Sequence, residues 1–246
     1  MLTDEYRRMY ENEDRYWWYV SRRELVVDLA KKAGLTESAR LVDIGCGTGA
    51  NVSALSAVCR AAGVDFSTEA LRFCRDRGLT GLARGSAERL PLRDDVVDAI
   101  VATDILEHLD DDVAALKEFR RALKPGGRAI ITVPAYQFLW GEHDEALMHK
   151  RRYVPRLLAD RARAAGLEVE WISFSLCFLF PMALTRLLKR RTPSDRPPQA
   201  QIVQVPDWLN RALIRFQRWE TRLLRVSRLP WGLSVAAILR KPAASS

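Results

Sequence analysis

The chain has 246 residues, 48% of them hydrophobic, which suffices for one α/β domain with added elements and a full core. Its net charge of +8 is unevenly placed: from Arg186 to Ser246, 13 Lys/Arg stand against Asp195, Asp207 and Glu220, a balance of +10 that leaves residues 1–185 at −2. A basic nucleic-acid platform is thereby excluded from the larger N-terminal part, and any anionic partner must be sought at the C-terminal extension. Cys46, Cys59, Cys74 and Cys177 show no C-x-x-C or Cys/His ligand spacing, so no metal is expected, and reduced thiols of a cytoplasmic protein are. The charged start (Asp4, Glu5, Arg7, Arg8) does not read as a leader, and no apolar run reaches the roughly 18–20 residues of a membrane span.

In chain order, residues 2–33 read as helix with an aromatic knot, Tyr16-Trp17-Trp18-Tyr19, followed by Arg22 and Arg23. Leu41 to Ile44 reads as a buried strand running into a tight turn with Gly45, Gly47 and Gly49, and Ala50 to Val58 as the helix that the turn opens. Glycines there let the backbone take positive φ and let a ligand approach the helix N-terminus. Their spacing is G-x-G-x-G, not the dinucleotide pattern G-x-G-x-x-G. The stretch Ala62 to Ser67 reads as a short strand ending in an acid, Asp65, 22 residues after Asp43, the place where an acid accepts ribose hydroxyls. Ser67 or Asp65 also suits the N-cap of a helix over 68–77. Gly85 to Leu92 reads as a loop, Asp98 to Asp104 as a buried parallel strand, and Asp110-Asp111-Asp112 as the acidic start of a helix over 113–123. Leu123-Lys124-Pro125-Gly126-Gly127 reads as a helix C-cap and turn before a strand over 128–133.

Residues 134–153 leave the C-terminal end of a parallel strand, where open α/β sheets bind ligands. This loop is long, and it holds Tyr136, Trp140, His143, Asp144, His149, Arg151, Arg152 and Tyr153. His143 beside Asp144 is the first candidate base, and Tyr136 and Trp140 are candidates for an acceptor pocket. His149, Arg151, Arg152 and Tyr153 suit folding the loop back on itself. A helix over 154–165, a strand over 167–173, an apolar run from Leu176 to Leu184, a Pro-rich loop over 192–206 and a basic amphipathic helix over 206–226 complete the chain before a strand near 232–241. That helix carries Arg211, Arg215, Arg218, Arg222 and Arg225 on one stripe and Trp208, Leu209, Ala212, Leu213, Phe216, Trp219 and Leu223 on the other face.

Asp43-Ile44-Gly45-Cys46-Gly47-Thr48-Gly49 resembles the first motif of class I S-adenosylmethionine-dependent methyltransferases. The resemblance continues in order through Asp65, the Gly85–Leu92 loop, Asp104–His108 and Leu123–Gly127 to about Gly166, and the strand near 232–241 fits the family's last strand. It implies a Rossmann-like three-layer sandwich. The sheet would be mostly parallel and seven-stranded with its last strand antiparallel, and a helical insert would precede that strand. It divides the chain into an N-terminal lid (1–34), a cofactor-binding core (35–175), a basic insert (176–230) and a last strand with tail (231–246).

The resemblance further implies S-adenosylmethionine as cofactor, held by Asp43, Gly45, Cys46, Gly47, Gly49, Asp65, Phe66, Ser86, Ala87, Glu88, Thr103, Asp104, Ile105 and His108. Ser86 stands where many relatives carry Asp. Arg22 or Arg23 is a candidate for the cofactor carboxylate. Trp17, Trp18, Tyr136, Trp140, His143 and Phe178 are expected around the acceptor, with His143, His108 and Tyr136 as catalytic candidates. The Phe/Leu/Trp-rich insert points to a small hydrophobic acceptor, isoprenoid- or lipid-like. Nucleic acid is not the expected partner, although the basic helix admits RNA methylation as an alternative, and a non-catalytic cofactor-binding, membrane-associated protein is another. Packing on the domain, a dimer face and peripheral contact with the inner membrane surface are further readings of that helix.

Overall fold

The structure, a computed structural model, describes residues 3–189 and 205–243. Seven strands form one sheet in the order β3-β2-β1-β4-β5-β7-β6. They are β1 (Arg40–Ile44), β2 (Arg60–Asp65), β3 (Leu82–Arg84), β4 (Val97–Thr103), β5 (Leu123–Pro134), β6 (Glu168–Ser175) and β7 (Ser234–Arg240). The pairs among β1 to β5 are parallel, and β7 runs antiparallel to both β5 and β6. This is the expected sheet, with the last strand inserted between the fifth and sixth.

Side-chain alternation sorts the strands onto two cores. Ile100 and Ala102 of β4, Ala129 and Ile131 of β5, and Val235, Ala237 and Leu239 of β7 face helices α5 (Asp112–Ala122) and α7 (Pro155–Ala164) through Leu116, Phe119 and Leu158. Ala99, Val101, Ile130, Ala236 and Ile238 face the other way. There they meet Leu25, Val26 and Leu29 of α2 (Trp17–Lys32), Leu55 of α3 (Ala50–Leu55) and Leu224 of α9 (Asp207–Val226). Helix α4 (Thr68–Asp76) packs Leu71 and Cys74 against Cys46 and Val52.

The structure corrects four expectations. Residues 2–33 are not one helix: α1 (Thr3–Asn12) ends before α2, and the aromatic knot lies at the break and the first turn of α2. The Leu123–Gly127 stretch is not a glycine C-cap, because Leu123 is already extended (φ −68°, ψ 138°) and pairs with Val97, so α5 runs straight into β5. Asp112 is more than a helix start: fully buried, it accepts from the Tyr153 hydroxyl at 2.8 Å and pairs with Arg151 at 3.1 Å.

The fourth concerns α9. Its buried residues are Gln217, Glu220, Thr221 and Leu224, while Trp208, Phe216 and Trp219 are exposed. Polar partners turn it this way. Glu220 accepts from the Leu176 and Cys177 amides (2.5 and 2.8 Å), Arg218 pairs with Glu24 at 2.6 Å, and Arg225 pairs with Asp28. Helix α8 (Phe180–Lys189) precedes α9 in the insert, and the expected Pro-rich loop lies outside the described residues except for Val205 and Pro206.

Candidate functional site

The glycine turn lies at the C-terminal end of β1. Gly45, Gly47 and Gly49 have φ of 69°, 54° and 88°. A Cβ at Gly45 would stand 2.0 Å from Ile105 Cδ1, so only glycine lets the end of β4 close on the turn. The Gly45 and Cys46 amides donate to the Val64 carbonyl at 2.7 and 3.1 Å. Asp65 fastens the turn to the next strand: one carboxylate oxygen accepts from the Gly47 amide and the other from the Ser67 amide, both at 2.8 Å. The Ser67 hydroxyl caps α4 by accepting from the Ala70 amide at 3.3 Å. Each carboxylate oxygen offers two lone pairs, so Asp65 retains acceptor capacity for a ligand.

Asp43 is fully buried and neither of its carboxylate oxygens has a hydrogen-bond partner. Burial, with the Asp65 charge second, pushes its carboxyl well above the usual range. Helix α1 lies against the same turn: Met9 Cε would stand 3.2 Å from a Cβ at Gly47, and buried Glu13 accepts from Thr48 Oγ1 and pairs with Arg77.

Three non-glycine residues with positive φ follow strands at this edge: Asp104 (54°) after β4, Tyr136 (58°) after β5 and Leu176 (60°) after β6. Such conformations cost on the order of 1–3 kcal/mol and concentrate at functional sites. The Thr103 hydroxyl accepts from Asn51 at 3.2 Å. Asp104 pairs with Arg22, whose guanidinium also donates to Thr132 Oγ1 at 3.2 Å and lies 5.1 Å from the Trp18 ring. Arg23 turns away to the Glu13 carbonyl at 2.7 Å, so of the two arginines Arg22 reaches this edge. Phe66 is 71% exposed beside Arg84. Ser86 accepts from the Glu88 amide at 3.2 Å and so closes its own turn, with Ala87 buried and Glu88 exposed.

The loop after β5 brings all three histidines of the chain together. His108 and His143 each stand edge-on to His149, with ring centroids at 4.7 and 6.3 Å. The expected His143–Asp144 pair is not present. Asp144, at 0% exposure, accepts from or bonds His149 Nδ1 (2.9 Å), Arg152 (2.8 and 2.9 Å) and the Gly141 amide (2.8 Å), while His143 is exposed. Adjacent position does not imply contact in helix α6 (Glu142–Ala146), where neighbours point about 100° apart. Burial acts upward on Asp144, yet the bonds from His149 and Arg152 hold it well below the carboxylate range. Burial and the neighbouring His149 pull His108 down to about 4. Glu107 is fully buried with both oxygens unpartnered, and burial pushes it up to about 8.

Tyr136 stacks on Phe174 (5.0 Å, 18°) and meets Phe138 and Phe180, an aromatic group joining β6, α8 and this loop. Trp17 is buried against Leu176 and Leu179, and Phe178 packs on Phe216 and Trp219 of α9. Sequence reasoning passed over Glu107 and assigned His149 to loop folding. A carboxylate next to His108 was the only available signal, since the approach of His149 depends on how the loop closes.

Residues 42–131 match the family model described as methyltransferase domain. That stretch is similar to the methyltransferase domain, and the sheet order is the one expected of the class I fold. The demethylmenaquinone methyltransferase of Mycobacterium sp. (strain KMS) is 35% identical over 122 residues, which cover 48% of this chain and 48% of that protein. A Mycolicibacterium smegmatis protein named "Probable S-adenosylmethionine-dependent methyltransferase" is 28% identical over 162 residues, 64% of this chain and 62% of that one. The chain thus spans about half to two thirds of the length of these curated relatives. Among solved structures, the chain in complex with the Trm112 methyltransferase activator from Haloferax volcanii superposes with a TM-score of 0.65 at 22% identity. That match covers 99% of this chain and 96% of that one, and it shows a shared fold.

S-adenosylmethionine is the cofactor of this family. The residues at the turn fit it. Gly45 lets Ile105 close on the turn, Asp43 has two unsatisfied oxygens, Asp65 has spare acceptor capacity and Phe66 is an exposed ring.

Proposed function

We propose that this chain is an S-adenosylmethionine-dependent methyltransferase acting on a small hydrophobic acceptor of the quinone- or isoprenoid-lipid class. The observation that carries the cofactor part is the glycine turn fastened to Asp65 and backed by the unpaired Asp43. The acceptor part rests on the aromatic group of Tyr136, Phe138, Phe174 and Phe180 at the same edge, and on relatives named for demethylmenaquinone.

When bound, the cofactor supplies a methyl group that is already strongly electrophilic. The chain's work is then to orient and to exclude water, which can account for roughly 7–11 kcal/mol of barrier. Asp65, Phe66 and the Ser86–Glu88 turn hold the nucleoside end, and Asp43, the glycine turn and the Thr103–Ile105 segment hold the amino-acid end. Arg22, bonded to Asp104 and Thr132, would take the cofactor carboxylate in exchange for Asp104. Helices α1 and the start of α2 act as the lid, since Met9 and Glu13 already lie on the turn. Trp17, Trp18, Trp140 and Phe178 line the approach of the acceptor with Tyr136. A general base adds about 10²–10⁴-fold, and exposed His143 is the group free to take a proton from an acceptor hydroxyl.

Two arginines of the stripe, Arg218 and Arg225, are taken by Glu24 and Asp28 and serve to hold α9 on α2. Among the described residues no helix is long and apolar enough to cross a membrane. The test is calorimetry with S-adenosylmethionine, followed by mass-spectrometric detection of methyl transfer across demethylated quinones, fatty acids, amines and RNA. Cofactor binding with methylation of a quinone-type acceptor is expected. No binding at millimolar cofactor overturns the enzyme reading, and methylation of RNA alone overturns the acceptor class.

A further inference from the structure

Glu107 is a buried carboxylate without a partner, placed against two imidazoles. One ligand atom from each of Glu107, His108 and His149 lies within 4.8 Å of the other two. We propose that these three residues form a binding site for a divalent first-row transition-metal ion.

The outer partners of the two histidines support this. Histidines that bind metals characteristically give their other ring nitrogen to a carboxylate or a carbonyl. His149 Nδ1 is bonded to Asp144 Oδ1 at 2.9 Å, which leaves Nε2 with the free lone pair. Asp144 is itself fixed by Arg152 and the Gly141 amide. The His108 ring is hydrogen-bonded to the main chain of Leu147. Both rings are therefore held with one nitrogen spare.

Charge gives the second argument. An ionised carboxylate buried without a hydrogen-bond partner is costly; the charges of Arg22 and Arg152 ease that cost only through space, since each guanidinium is bonded to another carboxylate, Arg22 to Asp104 and Arg152 to Asp144. A bound cation would hold Glu107 ionised. Two imidazole nitrogens and one carboxylate oxygen suit Zn²⁺, Co²⁺, Fe²⁺ or Mn²⁺ better than Mg²⁺ or Ca²⁺. Three protein ligands also leave a position for water or a substrate oxygen. Ligand atoms on one ion at about 2.0–2.2 Å stand up to about 4.4 Å apart, so atoms that lie within 4.8 Å of one another need at most small side-chain rotations. The site lies where β4 and the loop after β5 leave the sheet, the edge used by ligands in this architecture. It stands independently of the methyltransferase reading.

The test uses full-length, tag-free protein stripped with a chelator and titrated with Co²⁺, followed by the d–d absorption of the bound ion. One Co²⁺ per chain is expected, with at least tenfold weaker binding in Glu107→Gln and in His149→Gln. Asp144→Asn should weaken binding about 10–100-fold by freeing the His149 ring. Circular dichroism confirms that the variants fold. Should they not, imidazole proton spectra of the wild type decide: Co²⁺ must broaden His108 and His149 first. Absence of stoichiometric binding, equal binding by folded variants, or broadening that spares both rings overturns the site. Binding of Co²⁺ without binding of S-adenosylmethionine upholds the site and sinks the methyltransferase reading; the reverse sinks the site alone.

Discussion

Asp65 joins two tasks in one carboxylate. Its oxygens already accept from Gly47 and Ser67, and the cofactor's ribose would share them. Asp65→Ala should thus weaken S-adenosylmethionine binding by at least tenfold, about 1.4 kcal/mol. Calorimetry showing unchanged affinity would place the nucleoside elsewhere. Tyr153, fully buried, donates its hydroxyl to Asp112 at 2.8 Å. Tyr153→Phe removes one donor from a buried carboxylate that keeps Arg151, and a loss of about 1–3 kcal/mol in urea unfolding is expected. A loss below experimental error would mean that Arg151 and Arg161 satisfy Asp112 without it.

At the scale of elements, the readable parts were those in which local backbone geometry dictates residue type. The turn at Gly45 demands glycine because Ile105 closes on it, and the acid after β2 demands a short acceptor at a helix start, so both could be read from spacing. The loop after β5 was legible as a site but not in its pairings. His149 rather than His143 meets Asp144 because the loop folds back through the Ala135–Tyr153 bridge, a contact that spacing does not encode. Helix α9 keeps its arginine stripe in solvent but buries a mixed side, Leu224 with Gln217, Glu220 and Thr221, because Glu24 and Asp28 of α2 and the amides of Leu176 and Cys177 fix its rotation. The Arg218–Glu24 pair is half exposed, so a double-mutant cycle should return no more than about 1 kcal/mol. A larger coupling would make that pair, and not Glu220, the main anchor of α9.

For the whole molecule, buried carboxyls set the response to pH. Burial raises Glu13, Asp43, Asp65, Glu107 (to about 8) and Glu220 above their ordinary values. It lowers His108 (to about 4) and His143, whose contributions grow as pH rises through the ordinary histidine range. A group whose folded pKa exceeds its unfolded one keeps the native state protonated longer, so its contribution is full below the unfolded pKa and declines as pH rises towards the folded pKa. Asp98 and Glu118 are lowered and act oppositely: Asp98 overcomes burial through Lys124 and the Arg40 amide, and Glu118 is held by Arg121. Their contributions are lost in acid. Stability of the cofactor-free chain should therefore peak in the mildly acidic range. The urea midpoint at pH 8 should lie below that at pH 6, and the difference should shrink in Asp43→Asn. An unchanged difference would assign the effect to the other carboxyls.

The close approach of Gly232 to Ser175 has a consequence for how such a chain diversifies. A Cβ at Gly232 would stand 2.1 Å from the Ser175 carbonyl oxygen. Ser175 ends β6, and Ser234, its partner in register, begins β7, so residues 176–233 depart from and return to one point on the ligand edge. The segment is a head on a closed neck: its outer part can change in length without rethreading the sheet, whereas Leu224 of α9, set among Leu25, Val26 and Leu29, ties its base to the second core.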